Sequence, residues 1–316
     1  MKCLVTGGAG FIGTNLVRAL LDRGDDVRIL DNFSTGKRDN VQGLGDRAEI
    51  IEGDIRSYHV VREAVDGVDV IFHEAALPSV PRSIKDPITT HEAGTSGTLN
   101  ILQAARECGV RRMVYAGSSS VYGNTDVLPK HEGMTPAPLS PYAVSKITGE
   151  YYCRVFFQLY GLETVTLRYF NVFGPRQDPT SQYSAVIPKF ISMMRRGERP
   201  TIHGNGEQSR DFTYIDNVVH ANILAATVDG GVAGEAFNVA CGGRTTLNEL
   251  VAALNDALGT SIEPVYGEPK LGDVQHSYAA IDKFEDAAGY RPLVQFNDGV
   301  RRTVEWFTRE GVVVSS

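Results

Sequence analysis

Residues Gly7-Gly8-Ala9-Gly10-Phe11-Ile12-Gly13 constrain this chain more than any other stretch. They follow a short apolar run, Lys2 to Thr6, that reads as a buried strand, and they lead into an apolar-periodic helix from Thr14 to about Arg23. A second strand, Val27 to Leu30, ends at Asp31, 18 residues beyond Gly13. Strand, glycine turn, helix, strand, acid is the order of a dinucleotide-binding unit. The glycines let the backbone approach a pyrophosphate seated at the helix N-terminus. Asp31 stands where an acceptor for ribose hydroxyls belongs, and a carboxylate there would repel a 2′-phosphate, so the unit predicts NAD rather than NADP. The spacing is G-x-x-G-x-x-G, not G-x-G-x-x-G, so the flanking strands and helix carry the reading.

The alternation continues. Strands are predicted at Glu49–Glu52, Val68–His73, Arg112–Ala116 and Thr164–Leu167, with a helix over 92–108. Repeated βαβ units imply a parallel sheet covered by helices on both faces. Asp54, after the third strand, is a candidate acceptor for an adenine amino group or a cap for the next helix. Ala75-Ala76 leave room at a strand end for a cofactor. From about residue 175 the regular alternation breaks. Val186–Arg196, Leu247–Leu258 and Asp298–Arg309 read as helices; Thr201–Gly206 and Ser209–Tyr214 read as strand, turn, strand. The expected organisation is α/β: a doubly wound parallel-sheet domain over 1–174 and a smaller α+β substrate-binding lobe over 175–316. About 216–239 is expected to pack back on the first domain.

A length of 316 residues allows both lobes a core. The formal charge of −7 gives no support for binding nucleic acid or an anionic membrane, and no apolar run reaches membrane-spanning length. The opening strand leaves no room for a signal peptide, and Cys3, Cys108, Cys153 and Cys241 lack metal-ligand spacing. Reduced thiols, a cytoplasmic location and no metal are therefore expected.

Two stretches carry reactive groups. Gly117-Ser118-Ser119-Ser120-Val121-Tyr122-Gly123 puts three hydroxyls at a strand's C-terminal end, where a cleft suits them better than a core. In Leu139-Ser140-Pro141-Tyr142-Ala143-Val144-Ser145-Lys146, Ser140 is a candidate N-cap and Pro141 fits the first turn. Tyr142 and Lys146 then share a helix face. An ammonium near a phenol lowers the tyrosine pKa, which predicts a base usable near neutral pH.

Taken together, Gly7-x-x-Gly10-x-x-Gly13, Ser118, Tyr142-x-x-x-Lys146, Arg168-Tyr169-Phe170-Asn171-Val172 and Arg210-Asp211-Phe212 resemble the extended short-chain dehydrogenase/reductase family, and within it the nucleotide-sugar C4-epimerases. The resemblance covers residue 2 to about 310. It implies a Rossmann-type fold, tightly bound NAD and a UDP-hexose substrate. Tyr142 would be the base, Lys146 its electrostatic partner, and Ser118 a ligand of the sugar 4-OH. Gly7, Gly10, Phe11, Ile12, Gly13, Asp31, Asn32, Ser34, Thr35, Gly36, Asp54, Ile55, Ala75, Ala76 and Tyr169 would line the cofactor with Tyr142 and Lys146. Ser79, Ser119, Ser120, Asn171, Val186, Arg210, Asp273 and Ser277 would join Ser118 and Tyr142 around the sugar diphosphate, with Thr201 and His203 near the uracil. The bland alternative for Arg210 is an ion pair with Asp211. The resemblance also implies a homodimer through a four-helix bundle of helices 92–108 and 142–160. Their apolar residues include Leu99, Ile101, Leu102, Tyr151, Tyr152, Val155, Phe156 and Leu159.

Departures bear on the details. Gly94 stands where the resembling proteins usually have asparagine, and Lys270 where arginine is common. Ser119 and Ser120 occupy the positions of an Asp-Glu pair in nucleotide-sugar 4,6-dehydratases, so that elimination would lack its acid here. Asp178 falls where UDP-glucuronate epimerases carry an arginine. Ser277 falls where a tyrosine would restrict the pocket to UDP-glucose and UDP-galactose and a small residue would admit an N-acetyl group. The expectation is interconversion of UDP-N-acetylglucosamine and UDP-N-acetylgalactosamine, and of the non-acetylated pair more weakly. The alternatives are a UDP-glucuronate 4-epimerase, a 4,6-dehydratase, a simple oxidoreductase and a non-catalytic NAD-binding regulator.

Overall fold

A computed structural model describes residues 1–179, 185–269 and 275–310. Seven strands form one all-parallel sheet: β1 (Lys2–Thr6), β2 (Asp26–Asp31), β3 (Ala48–Glu52), β4 (Val70–His73), β5 (Arg112–Ser118), β6 (Glu163–Tyr169) and, from the second half of the chain, β11 (Glu235–Val239). Their order is β11-β6-β5-β4-β1-β2-β3. The strand order reverses between β1 and β4, which opens a crevice at the C-terminal ends of these two strands, where ligands of such sheets bind. Central strands are buried on both faces, as their unbroken apolar runs predict: Leu4, Val5, Ile71, Phe72, Met113 and Val114 are all fully buried.

The helix Ile215–Thr227 packs against β5, β6 and the Phe11–Asp22 helix. Arg112 fixes its end: Nη1 donates to the Ala225 and Val228 carbonyls at 3.0 and 2.7 Å, and Nη2 pairs with Glu163 at 2.7 Å. A cation among the last carbonyls of a helix complements its dipole.

The second half departs from the strand-turn-strand expectation. β7 (Val172–Phe173) pairs with β10 (Thr213–Tyr214), β8 (Thr201–His203) with β13 (Val265–Gly267), and β9 (Ser209–Arg210) lies between β12 (Thr245–Thr246) and β14 (His276–Ser277). The segments either side of the 204–208 turn thus enter three different sheets. Strands of two or three residues carry too little alternation to be recognised singly.

The helix expected over 92–108 is a π-helical turn, Glu92–Ser96, running into an α-helix, Gly97–Glu107. Several residues expected at a dimer interface are inside the protomer instead. Ile101 and Leu102 are fully buried and Phe156 is buried too, packed with Tyr115 and Met113 beneath the sheet. The helical period that places apolar residues on one face does not say which neighbour that face meets.

Candidate active site

The cofactor cradle rests on close approach of backbone. Gly7 has φ +71°, and a Cβ there would lie 2.8 Å from the Ala75 Cα. A Cβ on Gly13 would lie 2.2 Å from the Gly7 carbonyl oxygen, so no side chain fits. Gly10 N-caps the Phe11–Asp22 helix without a side-chain cap, leaving first-turn N–H groups facing the crevice beside half-buried Phe11 and Ile12. This arrangement fits a dinucleotide pyrophosphate. Asp31 is buried, and its carboxylate accepts from Ala9 N at 2.9 Å and Phe33 N at 2.8 Å, tying the glycine turn to the loop after β2. Exposed Asn32, Ser34 and Thr35 and half-buried Gly36 form that loop. Asn32 Nδ2 reaches Asp54 at 2.8 Å; Arg56 pairs with the same carboxylate and helps hold it down to about 2. Asp54 is not the helix cap, since Ser57 occupies that position ahead of Tyr58. Ile55 is buried, and Ala75 and Ala76 are half-buried beyond β4.

The reactive groups meet where β5 and β6 end. Ser118 and Tyr169 are register partners as the last residues of these strands. The Ser118 and Ser120 hydroxyls are 2.8 Å apart, with half-buried Ser119 between them. Ser140 caps the Pro141–Tyr160 helix by accepting from Ala143 N, as its place before Pro141 predicts. Tyr142 then lines the cleft in hydrogen-bonding contact with Ser118.

One expectation needs correction. The i, i+4 spacing predicts a Tyr142 phenol lowered by Lys146. Burial instead raises the phenol above its ordinary value, with Ser118 opposing and Glu74 adding to the rise. Lys146 Nζ sits 6.0 Å from the Tyr142 ring centre and donates to the Ala116 carbonyl at 2.7 Å. Shared helix face sets proximity; desolvation of the phenolate outweighs it here.

The second half of the chain supplies a cavity of about 360 Å³ lined by Asn171, Val186, Thr201, His203 and Arg210, all singled out in the sequence. Phe212, from the Arg210-Asp211-Phe212 motif, also lines it, as do Lys189 and Gln208, which carried no recognisable signal. Asn171 is held at φ +34°, its side chain donating to the Asp211 carbonyl at 3.1 Å. Arg210 Nη1 donates to the Ser209 and Gln275 carbonyls at 3.0 and 3.3 Å. The Asp211 carboxylate turns inward, accepting from the N–H groups of Cys241, Gly242 and Ala279. Ser277 is buried beside Arg210, its partner across β14 and β9. Ser79 is half-buried with φ +119°, and its hydroxyl accepts from Arg82 N. Asp178 pairs with Lys37 at 3.0 Å, so its charge is engaged on the cofactor side. Asp273 and Lys270 lie outside the described residues.

The model of the NAD dependent epimerase/dehydratase family matches residues 3–240. The chain belongs to that family. Its members' cofactor is NAD, in keeping with the cradle. The chain is 37% identical over 311 residues to the UDP-glucose 4-epimerase of Mycolicibacterium smegmatis, covering 97% of this chain and 98% of the relative. Among solved structures it is similar to UDP-N-acetylglucosamine 4-epimerase from Methanobrevibacter ruminantium in complex with UDP-N-acetylmuramic acid (TM-score 0.93, 39% identity, 98% of each chain). It is also similar to the UDP-glucose 4-epimerase of Thermus thermophilus in complex with NAD (TM-score 0.86, 37% identity, 98% of this chain and 99% of the other). No helix among the described residues of this family member is long and apolar enough to cross a membrane.

Proposed function

We propose that this protein is a UDP-sugar 4-epimerase acting chiefly on UDP-N-acetylglucosamine and UDP-N-acetylgalactosamine, and more weakly on UDP-glucose and UDP-galactose. What supports the reading is Tyr142 in hydrogen-bonding contact with Ser118 and with Lys146 Nζ 6.0 Å from its ring centre, in a chain that also carries the glycine cradle and the Arg210 cavity. Bound NAD supplies the hydride acceptor and donor.

In this reading Tyr142 takes the proton of the sugar 4-OH while Ser118 holds that oxygen. Lys146 supplies the positive charge that offsets burial of the phenolate. Arg210 offers a fork for the diphosphate, and Asn171, Thr201 and His203 anchor the nucleotide end. With the anchor kept, the 4-keto sugar could turn its other face to the cofactor site, and Tyr142 would return the proton to O4 as the carbonyl is reduced. Ser119 and Ser120 provide no carboxylate for elimination, which weighs against a dehydratase. Buried, small Ser277 beside Arg210 favours an acetamido sugar, and the likeness to the Methanobrevibacter enzyme supports the same choice. We also assign cofactor binding mainly to 1–174, substrate binding mainly to 175–316, and a homodimer to the exposed face of the Pro141–Tyr160 helix.

The test is incubation with each UDP-sugar, UDP-glucuronate included, without added cofactor. The expected result is the C4 epimer with no net NADH, fastest for the acetamido pair. Stoichiometric NADH, a 4-keto-6-deoxy product, or equal or better turnover of UDP-glucuronate would overturn the reading.

A further inference from the structure

Glu74 is an acid in the reacting cleft that neither the resemblance nor the epimerase reading uses. It follows β4 directly, in His73-Glu74-Ala75. The last register pair between β4 and β5 is His73 with Tyr115, so the next step places Glu74 level with Ala116. Neighbouring strands lie about 4.8 Å apart. Ala116 is the residue whose carbonyl holds the Lys146 ammonium at 2.7 Å.

The carboxylate is fixed from the other side. Tyr169 donates to Glu74 Oε1 at 2.7 Å, and Asn222 Nδ2 donates to the Tyr169 hydroxyl at 2.8 Å. Asn222 is fully buried on the Ile215–Thr227 helix and also donates to the Val218 carbonyl, so this chain of hydrogen bonds is anchored in the core. A neutral residue at 74 could fill the same space. A carboxylate placed there, half-buried, needs a cation to offset its desolvation.

The groups around Lys146 identify that cation. Lys146 is itself buried. At the end of β4, His73 and the Glu74 that follows it interact with Lys146 electrostatically, and burial keeps His73 neutral between Thr6 and Thr98. From β5 comes the Tyr115 ring, 5.2 Å away and strongly protonated by burial. From its own helix come Tyr142 and Cys153, whose thiol burial holds protonated. Glu74 is thus the acid of this group. Burial pushes its carboxyl up and the Lys146 ammonium down, while each charge favours the other.

We infer that Glu74 is the counter-charge of Lys146, held at a distance by Tyr169 and Asn222, and that it positions the Tyr142–Lys146 pair for proton transfer by keeping Lys146 protonated. The two groups act through space; each makes its hydrogen bonds elsewhere. The arrangement keeps the lysine charged without a direct ion pair that would pull it away from Ala116. The inference rests on the epimerase reading only for the use to which the pair is put.

The test titrates the two groups directly, in the NAD-saturated protein without substrate. Lysine labelled at 13Cε reports Lys146, assigned by the signal lost in Lys146→Arg. In Glu74→Gln, which keeps an acceptor for Tyr169, the Lys146 midpoint should fall by about one pH unit or more. Linkage requires the reciprocal effect. In Lys146→Met, the 13Cδ midpoint of Glu74 should rise by a similar amount, and this variant leaves the Tyr169 bond intact should Glu74→Gln not fold. A Lys146 midpoint within about 0.3 unit of wild type in folded Glu74→Gln, or a Glu74 midpoint unmoved in Lys146→Met, would overturn the inference. These midpoints do not depend on turnover. A protein that epimerises no UDP-sugar could still show the coupling, and an active epimerase could still lack it.

Discussion

Gly94 packs directly onto Ser145: a Cβ built on Gly94 lies 2.7 Å from the Ser145 hydroxyl and 2.9 Å from its Cβ. Gly94 belongs to the π-helical turn Glu92–Ser96, and its carbonyl accepts from the Thr98 hydroxyl at 2.7 Å. The contact explains how the chain dispenses with the asparagine expected there: Ser145 of the Pro141–Tyr160 helix occupies the space. Gly94→Ala should therefore destabilise the protein by about 1–3 kcal/mol, the usual effect of overpacking a close contact. Adding Ser145→Gly should recover part of the loss. Urea unfolding of both variants checks this; an unchanged midpoint in Gly94→Ala would show that the helices separate freely.

Tyr142→Phe removes the phenol and keeps the ring. Turnover should fall by ~10²–10⁴, the range for loss of a general base, while thermal stability and NAD content stay near wild type. Steady-state rates with UDP-N-acetylglucosamine, alongside cofactor content by absorbance, distinguish a lost base from a lost fold. Near-normal turnover would remove Tyr142 from the mechanism.

On the proposed reading, Ser277 borders the sugar pocket beside its strand partner Arg210, and Ser277→Tyr would fill that space. The ratio of kcat/KM for the acetamido pair to that for UDP-glucose and UDP-galactose should drop at least roughly tenfold, because a filled pocket rejects added volume. If the ratio does not move, Ser277 does not face the 2-substituent.

Asp211 gives stability a pH dependence of unusual sign for an aspartate. Burial pushes its carboxyl up to about 6 despite the backbone N–H groups it accepts. An unfolded aspartate titrates near ~3.9. Between these values the folded state holds the extra proton, so the site's contribution is full below about pH 4 and is lost as pH rises through about 6. Asp211→Asn lacks this loss. Its melting temperature relative to wild type should improve steadily from about pH 4 to about pH 6.5. A constant difference across that range would mean that Asp211 titrates normally.

The exposed face of the Pro141–Tyr160 helix carries Val144, Tyr151, Val155 and Leu159, with Ile84 and Ile88 exposed on the short helices that pack beside it. Leu159 is 68% exposed and Ile88 71%, so these side chains gain most from a covering partner. Light scattering at micromolar concentration should give the mass of two chains, and Val155→Glu with Leu159→Glu the mass of one. A wild-type mass of one chain would refute the dimer.

The first half of the fold was legible because its central strands are dominated by apolar residues and its glycine turn carries its own chemistry. Gly7, Ser118 and Tyr142 could be singled out because each sits at or just past a strand end or at a capped helix start. Glu74 could not, because an acid between His73 and Ala75 has no period or spacing that marks it. Its partner Tyr169, and the Asn222 that holds Tyr169, lie 95 and 148 residues away along the chain. The direction of the Tyr142 shift was equally hidden: spacing along a helix shows which cation is near, and only packing shows how much water is gone. Arg210 and Ser277 became neighbours through two-residue strands that no pattern announces.

The path of the chain between its layers has a mechanical consequence. After β6 it leaves the large sheet, returns with the Ile215–Thr227 helix and β11, and leaves again toward β12. The smaller layer built from the second half of the chain is therefore stitched to the sheet at three crossings, not hung from a single hinge. A clamshell swing would have to shear β11 from β6 or drag the helix across β5. Opening is thus expected in loops at the rim, and in the proposed epimerase a sugar that must present both faces to one cofactor would have to do the turning itself.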